Sequence, residues 1–104
     1  MTNAPATTPL TLEDLRARRE EILAIAERHK AYNVRVFGSV ARGEAGPGSD
    51  VDLLVTYRQN ASLFDVAGLW LDLKEFLNCD VDVVDDAAIK ARLRDSILQT
   101  AVPL

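Results

Sequence analysis

The stretch FGSVARGEAGPGSDVDLLV, residues 37–55, limits what this chain can fold into more than any other. It leaves an apolar segment, passes a Gly-Ser turn and a glycine-rich loop, and enters an aliphatic run that carries Asp50 and Asp52 one residue apart. In a β-strand alternate side chains share a face and lie about 6.6 Å apart, so the two carboxylates project together. Like charges this close repel, and burying them without a partner is costly. The pair therefore calls for cations, either one held between the two groups or two ligated side by side.

The glycines exclude two nucleotide loops. Gly38 and Gly43 have the spacing of a Walker A loop, but Glu44 and Ala45 stand where Lys and Ser/Thr must meet phosphate and magnesium. The run Gly43, Gly46, Gly48 is not a dinucleotide-binding fingerprint. A Gly-Ser step just past a strand still offers phosphate its backbone N–H groups and the Ser39 hydroxyl, although the same dipeptide also makes plain turns.

Around this stretch the chain has the size of one domain. Its 104 residues can build one hydrophobic core but not a second substrate domain, so a large second substrate has to come from outside. With 48% apolar and 27% charged residues the composition is that of a globular protein. A net charge of -4 argues against direct nucleic-acid binding as the main task, because gripping phosphate needs clustered Lys and Arg. Cys79 and His29 are single, which leaves no internal disulfide and no Cys/His zinc set. With no secretory signal and no apolar run long enough to span a bilayer, the expected setting is the reducing cytoplasm, away from any membrane.

The order of elements follows from periodicity. Residues 1–10, rich in Thr, Ala and Pro, are expected to form a flexible arm ahead of a single domain over 11–104. Thr11 caps a helix expected to run to about Lys30, with Leu12, Leu15, Ile22, Leu23 and Ala26 on its apolar face and Asn33 ending it. VRVF, 34–37, reads as a strand, and DVDLLVTY, 50–57, as the next. Ser62 and Asp65 cap a helix that places Val66, Trp70, Leu73 and Leu77 on one face, with Trp70 as a core anchor. CDVDVVD, 79–85, is a third strand, and Asp86 caps a last helix with Ile89, Leu93 and Ile97 four apart. The result is one α+β unit, a small mixed sheet of three or more strands flanked by helices. An exposed edge in so small a sheet invites pairing with a second copy or another partner.

The third strand repeats the carboxylate spacing with Asp80 and Asp82, and either can complete a three-carboxylate cluster with Asp50 and Asp52. Strand parity does not separate the two. A solvated sheet face is the alternative, but Leu54 and Val84 take the same-face positions next to Asp52 and Asp82, which puts the carboxylates at the mouth of an apolar surface. Hard oxygen donors without His or Cys favour magnesium. Among lesser candidates, His29 reads as a surface or capping residue, Cys79 as core filler, and Tyr32 and Tyr57 as packing residues able to stack on a base.

Gly38-Ser39, ten intervening residues and Asp50-Val51-Asp52 resemble the G-S-x10-D-x-D signature of the DNA polymerase beta-like nucleotidyltransferase superfamily. The wider GSVARGEAGPGSDVDLLV is similar to its minimal nucleotidyltransferase, or MNT, group, small proteins often paired with a HEPN-domain toxin as its antitoxin. The resemblance covers nearly the whole chain and implies the nucleotidyltransferase fold of the α+β (α/β-type) class.

Carried over by position, it implies that Gly38 and Ser39 hold the nucleoside triphosphate and that Asp50 and Asp52 are paired metal ligands. Asp82 would be the third carboxylate, as metal ligand or base, with Asp80 the alternative. Arg42, in the family's A-R-G, and Ser49 would touch phosphate, Arg42 having an equal reading as a helix-surface ion pair. Many relatives carry a basic residue where this chain has Gly46, so one phosphate contact is missing or left to a partner. The implied activity is transfer of AMP from ATP, with two magnesium ions, onto a tyrosine of a HEPN toxin. The alternatives are a non-enzymatic antitoxin that blocks the toxin by contact, and transfer to a small molecule.

Overall fold

The computed structural model describes residues 10–46, 49–89 and 91–104, with the side chains of 91–93 outside the description. The expected arm thus lies outside the described residues except for Leu10, which packs against the core.

Helix α1 (Leu12–Ala17) starts at a capping box in which Thr11 accepts from the Asp14 N–H and Asp14 accepts from the Thr11 N–H. The helix expected to continue to Lys30 breaks at Arg18 and resumes as α2 (Arg19–Arg28). The apolar pattern explains the break. Between Leu15 and Ile22 only Ala17 is apolar, so nothing on that turn is pinned to the core while both flanking residues are fully buried.

Strand β1 (Ala31–Phe37) begins earlier than expected, because Lys30 takes the left-handed turn that ends α2 and Asn33 does not. Asn33, at φ +52°, instead sits in a bulge where three steps along β1 match two along its neighbour. The extra residue resets the alternation: Ala31, Val34 and Val36 are buried, and Arg35 and Phe37 move to the opposite sheet face. The chain then makes a single helical turn, α3 (Gly38–Arg42), closed by Gly43 at φ +73°.

Strand β2 (Val51–Tyr57) pairs antiparallel with β1 and parallel with β3 (Val81–Asp85). The parallel crossover runs through α4 (Leu63–Leu77), whose capping box is Ser62 and Asp65 as anticipated. A fourth strand, β4 (Val102–Pro103), follows α5 (Ala91–Thr100), giving the mixed order β3-β2-β1-β4. The proline is tolerated because β4 is an edge, and Leu104 closes the core with its N–H donated to Val34.

One side of the sheet holds the main core: Val36, Leu53 and Val55 against Ile22 and Ile25 of α2 and Leu69, Leu73 and Leu77 of α4. The α4 seam is therefore Leu69-Leu73-Leu77, while Val66 and Trp70 stand partly exposed at its rim, contrary to the core anchor expected of Trp70. The indole N–H explains that position, since it donates to the Val81 carbonyl at the open edge of β3 (2.7 Å). Asp86 does not cap α5. It joins Arg35 and Thr56 on the other sheet face, with Nη2–Oδ2 at 2.8 Å and Oγ1–Oδ2 at 2.5 Å. Cys79 packs against the core, and His29 closes α2 while holding Asp72 at 2.6 Å. Among the described residues no helix is long and apolar enough to cross a membrane.

Candidate active site

The site is assembled where three strand ends meet. Phe37, the last residue of β1, is the register partner of Asp52 on β2, and Asp52 is the register partner of Asp82 on β3. Sheet alternation sends Val51, Leu53 and Val81 into the core, which turns Asp52 and Asp82 to the opposite face. Register thus separates the two candidates that parity leaves equal. Asp82 stands beside Asp52, whereas Asp80 precedes β3, is 73% exposed and pairs with Lys74 at 3.7 Å.

Behind this row Leu54 is fully buried, so the carboxylates do border an apolar surface. That surface is narrow, because Arg35, the register partner of Leu54, borders it and reaches with its guanidinium to Thr56 and Asp86 in the row beyond.

Gly38 shows why this position requires glycine. Its φ of +73° lies in the left-handed region, and a Cβ there would collide with Asp52 Oδ2. The Asp52 carboxylate is therefore lodged against the backbone at the start of α3, beside Ser39. No side chain caps α3 at Phe37, so its first N–H groups are available to a phosphate or other anion.

Burial raises the Asp52 carboxyl above its ordinary value, and the charges of Asp82 and then Asp50 push it further, with Arg42 as the opposing influence. Arg42 itself hydrogen-bonds Glu44 (2.9 Å), so the surface ion pair forms while the guanidinium charge still reaches Asp52. The Ser49 hydroxyl accepts from the Gly46 N–H (2.9 Å) and closes the loop before β2. Asp50 is exposed at the mouth of the strand. A side chain at Gly46 would meet open space.

This arrangement fits a divalent cation. Among the described residues no three His, Cys, Asp or Glu converge closely enough to form a complete cage. Magnesium does not need one, since it is commonly held by one or two carboxylates with substrate phosphates and water completing the octahedron. Asp52 and Asp82 side by side, with Asp50 near, leave an anionic charge that Arg42 alone does not balance. The donors are all hard oxygens, as the Cys79 thiol is pushed up by burial, Asp80 and Asp50 and stays protonated, and His29 is bound to Asp72.

The residues outside this row do not join it. Tyr57 is half-buried with its phenol pushed up to about 12 by burial and by Asp85 and Asp65, while Tyr32 lies under the Arg58 guanidinium at 4.8 Å. The helical turn α3 escaped the sequence reading because five residues carry no periodicity, its only trace being a glycine after Arg42.

A family model of the nucleotidyltransferase domain matches residues 19–103. A Methanocaldococcus jannaschii protein named as a candidate protein adenylyltransferase is 37% identical over 84 residues, covering 81% of this chain and 90% of that protein. Protein adenylyltransferase MntA of Thermococcus cleftensis is 35% identical over 97 residues, covering 89% of this chain and 95% of the relative. A solved structure described as a candidate minimal nucleotidyltransferase has TM-score 0.82 and 48% identity, over 93% of this chain and 99% of that one.

Two toxin–antitoxin complexes contain a chain of the same fold. One, solved with AMP-PNP, has TM-score 0.70 and 22% identity over 81% of this chain and 69% of that one. The other, a tri-AMPylated Shewanella oneidensis HEPN toxin with its MNT antitoxin, has TM-score 0.64 and 19% identity over 85% and 69%. From the family match and from relatives of similar length above 30% identity, the chain belongs to the nucleotidyltransferase domain family and is a nucleotidyltransferase.

Proposed function

We propose that this chain transfers AMP from ATP to a hydroxyl of a partner protein, a tyrosine of a HEPN-domain toxin, and so acts as the toxin's antitoxin in the cytoplasm. The observation that carries the reading is the in-register pair Asp52–Asp82 beside the Gly38-Ser39 turn. The names of the relatives, protein adenylyltransferases, support a protein acceptor. The AMPylated toxin held by a chain of this fold supports the HEPN partner.

In this mechanism the backbone and hydroxyl at Gly38 and Ser39 seat the triphosphate, with Arg42 and Ser49 at the loop side. Asp50, Asp52 and Asp82 would hold magnesium, which when bound neutralises phosphate charge and makes the acceptor hydroxyl easier to deprotonate. Asp82, at the open edge of the row, takes up the proton of the acceptor hydroxyl. The acceptor oxygen forms a bond to the α-phosphorus as the bond from that phosphorus to the bridging oxygen breaks, and pyrophosphate leaves. The Gly38 close approach fixes the Asp52 carboxylate during transfer, which favours turnover by orientation.

The test is incubation of the purified chain with α-labelled ATP, magnesium and a purified HEPN-domain toxin. Label is expected on a toxin tyrosine and is lost with Asp52→Asn. Neutralisation of the toxin by Asp52→Asn without any label would replace the reading with a binding antitoxin, and label appearing on a small molecule instead would reassign the acceptor.

A further inference from the structure

Asp82 stands on β3, an outermost strand of the sheet, with β2 on one side only. Its side chain is exposed, and among the described residues nothing hydrogen-bonds its carboxylate. The direction of that carboxylate is therefore set by the backbone from which it projects. An edge strand restrains such a backbone least, because half of its N–H and C=O groups face outward without a strand to pair with.

One of those outward groups is nevertheless held. The Asp80 carbonyl accepts from the Val51 N–H of β2 (3.0 Å), and alternation along the strand turns the next carbonyl, that of Val81, to the open edge. There the Trp70 indole N–H donates to it at 2.7 Å. The Val81 carbonyl and the Asp82 nitrogen belong to one planar peptide unit. A bond to the carbonyl thus fixes the plane from which the Asp82 Cα leaves, while the ladder to β2 holds the strand from the other side.

The indole is well placed for this task. Its nitrogen is a donor only, so the bond to Val81 is its single polar function. Trp70 follows the fully buried Leu69 on α4, and the Lys74 ammonium lies 5.0 Å from the centre of its ring. With the side chain 40% exposed, the N–H has access to water and yet is spent on the edge carbonyl. The neighbouring Lys74–Asp80 pair (3.7 Å) joins two exposed side chains and adds little.

We propose that Trp70 is a positioning residue for the Asp82 carboxylate. It acts from α4 through the Val81–Asp82 peptide at the sheet edge, without touching substrate or metal. The inference rests on the reading of Asp82 as a metal ligand and base, and it is independent of the acceptor's identity.

Magnesium titrated calorimetrically into the full chain tests it without any acceptor. Trp70→Phe keeps an aromatic ring and removes the donor, and it is expected to weaken magnesium binding at least about tenfold, as loss of a group that orients a metal ligand does. Trp70 is the only tryptophan, so it can also be replaced by benzothienylalanine, which has sulfur in place of the indole N–H at nearly the same shape. The same loss is expected, and this variant decides the matter if Trp70→Phe does not fold. In an Asp82→Asn background either change should alter the affinity by less than about twofold, since groups acting through one another are not additive. With α-labelled ATP and a purified HEPN-domain toxin, kcat should fall about tenfold while KM for ATP stays within about twofold. The Gly38-Ser39 turn lies beyond Asp52 from β3 and is not reached by the change.

If Asp82→Asn weakens magnesium binding and neither Trp70 variant does, the inference falls and the reading of Asp82 stands. If Asp82→Asn leaves magnesium affinity unchanged, Asp82 is not a metal ligand and the inference falls with that reading. Equal losses from Trp70→Phe with and without Asp82 overturn it in favour of a general packing role. The titration decides the inference even where no label reaches the toxin, a result that counts against the proposed transfer alone.

Discussion

The Asp52 carboxylate occupies the space that a side chain on Gly38 would need, because any Cβ there meets Asp52 Oδ2. Strand β2 and the turn into α3 are in this way fitted to each other through the absence of one methyl group. Gly38→Ala must move either the carboxylate or the helical turn, and it must also hold alanine at φ +73°. The expected result is a loss of stability of about 1–3 kcal/mol in urea unfolding. Nucleotidyl transfer should fall at least about a hundredfold, since misplacement on the order of 1 Å has that effect.

Register makes Asp82 and Asp80 unequal, and activity should follow. Asp82→Asn is expected to lower turnover at least about a hundredfold, through loss of a group acting on the transition state. Asp80→Asn removes only an exposed pair with Lys74 and should leave turnover within about threefold. Comparable losses for both variants in a labelled-ATP assay would remove Asp82 from the proposed role.

The electrostatics of Asp52 predict opposite responses with and without metal. Its folded-state carboxyl is raised by burial, Asp82 and Asp50, so between the unfolded value near 3.8 and that raised value the folded chain holds the extra proton. Its contribution to stability is therefore present at low pH and lost as pH rises through the folded value. Without divalent metal, Asp52→Asn should raise the thermal midpoint at pH 7 and make no difference near pH 3. Magnesium at a hundred times its dissociation constant should stabilise the wild type by about 2.7 kcal/mol and the variant by far less. Metal affinity should weaken as pH falls through the raised Asp52 value, which isothermal titration can follow.

Arg35 and Asp86 form the opposite case. Burial raises the Asp86 carboxyl, but hydrogen bonds from Thr56 and Arg35 and the charges of Arg35 and Arg94 outweigh it, and the net shift is downward. A carboxylate of this kind stabilises the fold above the unfolded value near 3.8 and stops doing so as pH falls through its folded value. Arg35→Ala is expected to lower stability by about 2–3 kcal/mol at pH 7, and by clearly less at pH 2 to 3, in parallel urea titrations. An equal loss at both pH values would mean that the guanidinium acts by packing alone.

Much of this was legible locally. The capping boxes at Thr11 and Ser62 lie within four consecutive residues each, and both form as written. DVDLLVTY and CDVDVVD announce strands because β-branched residues fit a pleated, half-buried surface. The errors fall where tertiary contacts outweigh local signals. Asn33 carries a turn signal that β1 uses for a bulge, and Asp86 carries a capping signal that the ion pair with Arg35 overrides. Trp70 has core spacing, yet its N–H draws it to the rim beside Val81, and the two-residue strand β4 is too short to show any period.

The sequence by itself determined that a carboxylate-bearing strand follows a Gly-Ser turn, because β-branched and aliphatic residues mark a strand locally; Asp52 lies on β2, with Asp50 just ahead of its first residue. Only the tertiary structure decided that Asp82 and not Asp80 stands beside Asp52, and that Gly38 has no room for a side chain. Register between strands and close approach between segments are set by how the whole core packs, and no local pattern encodes either.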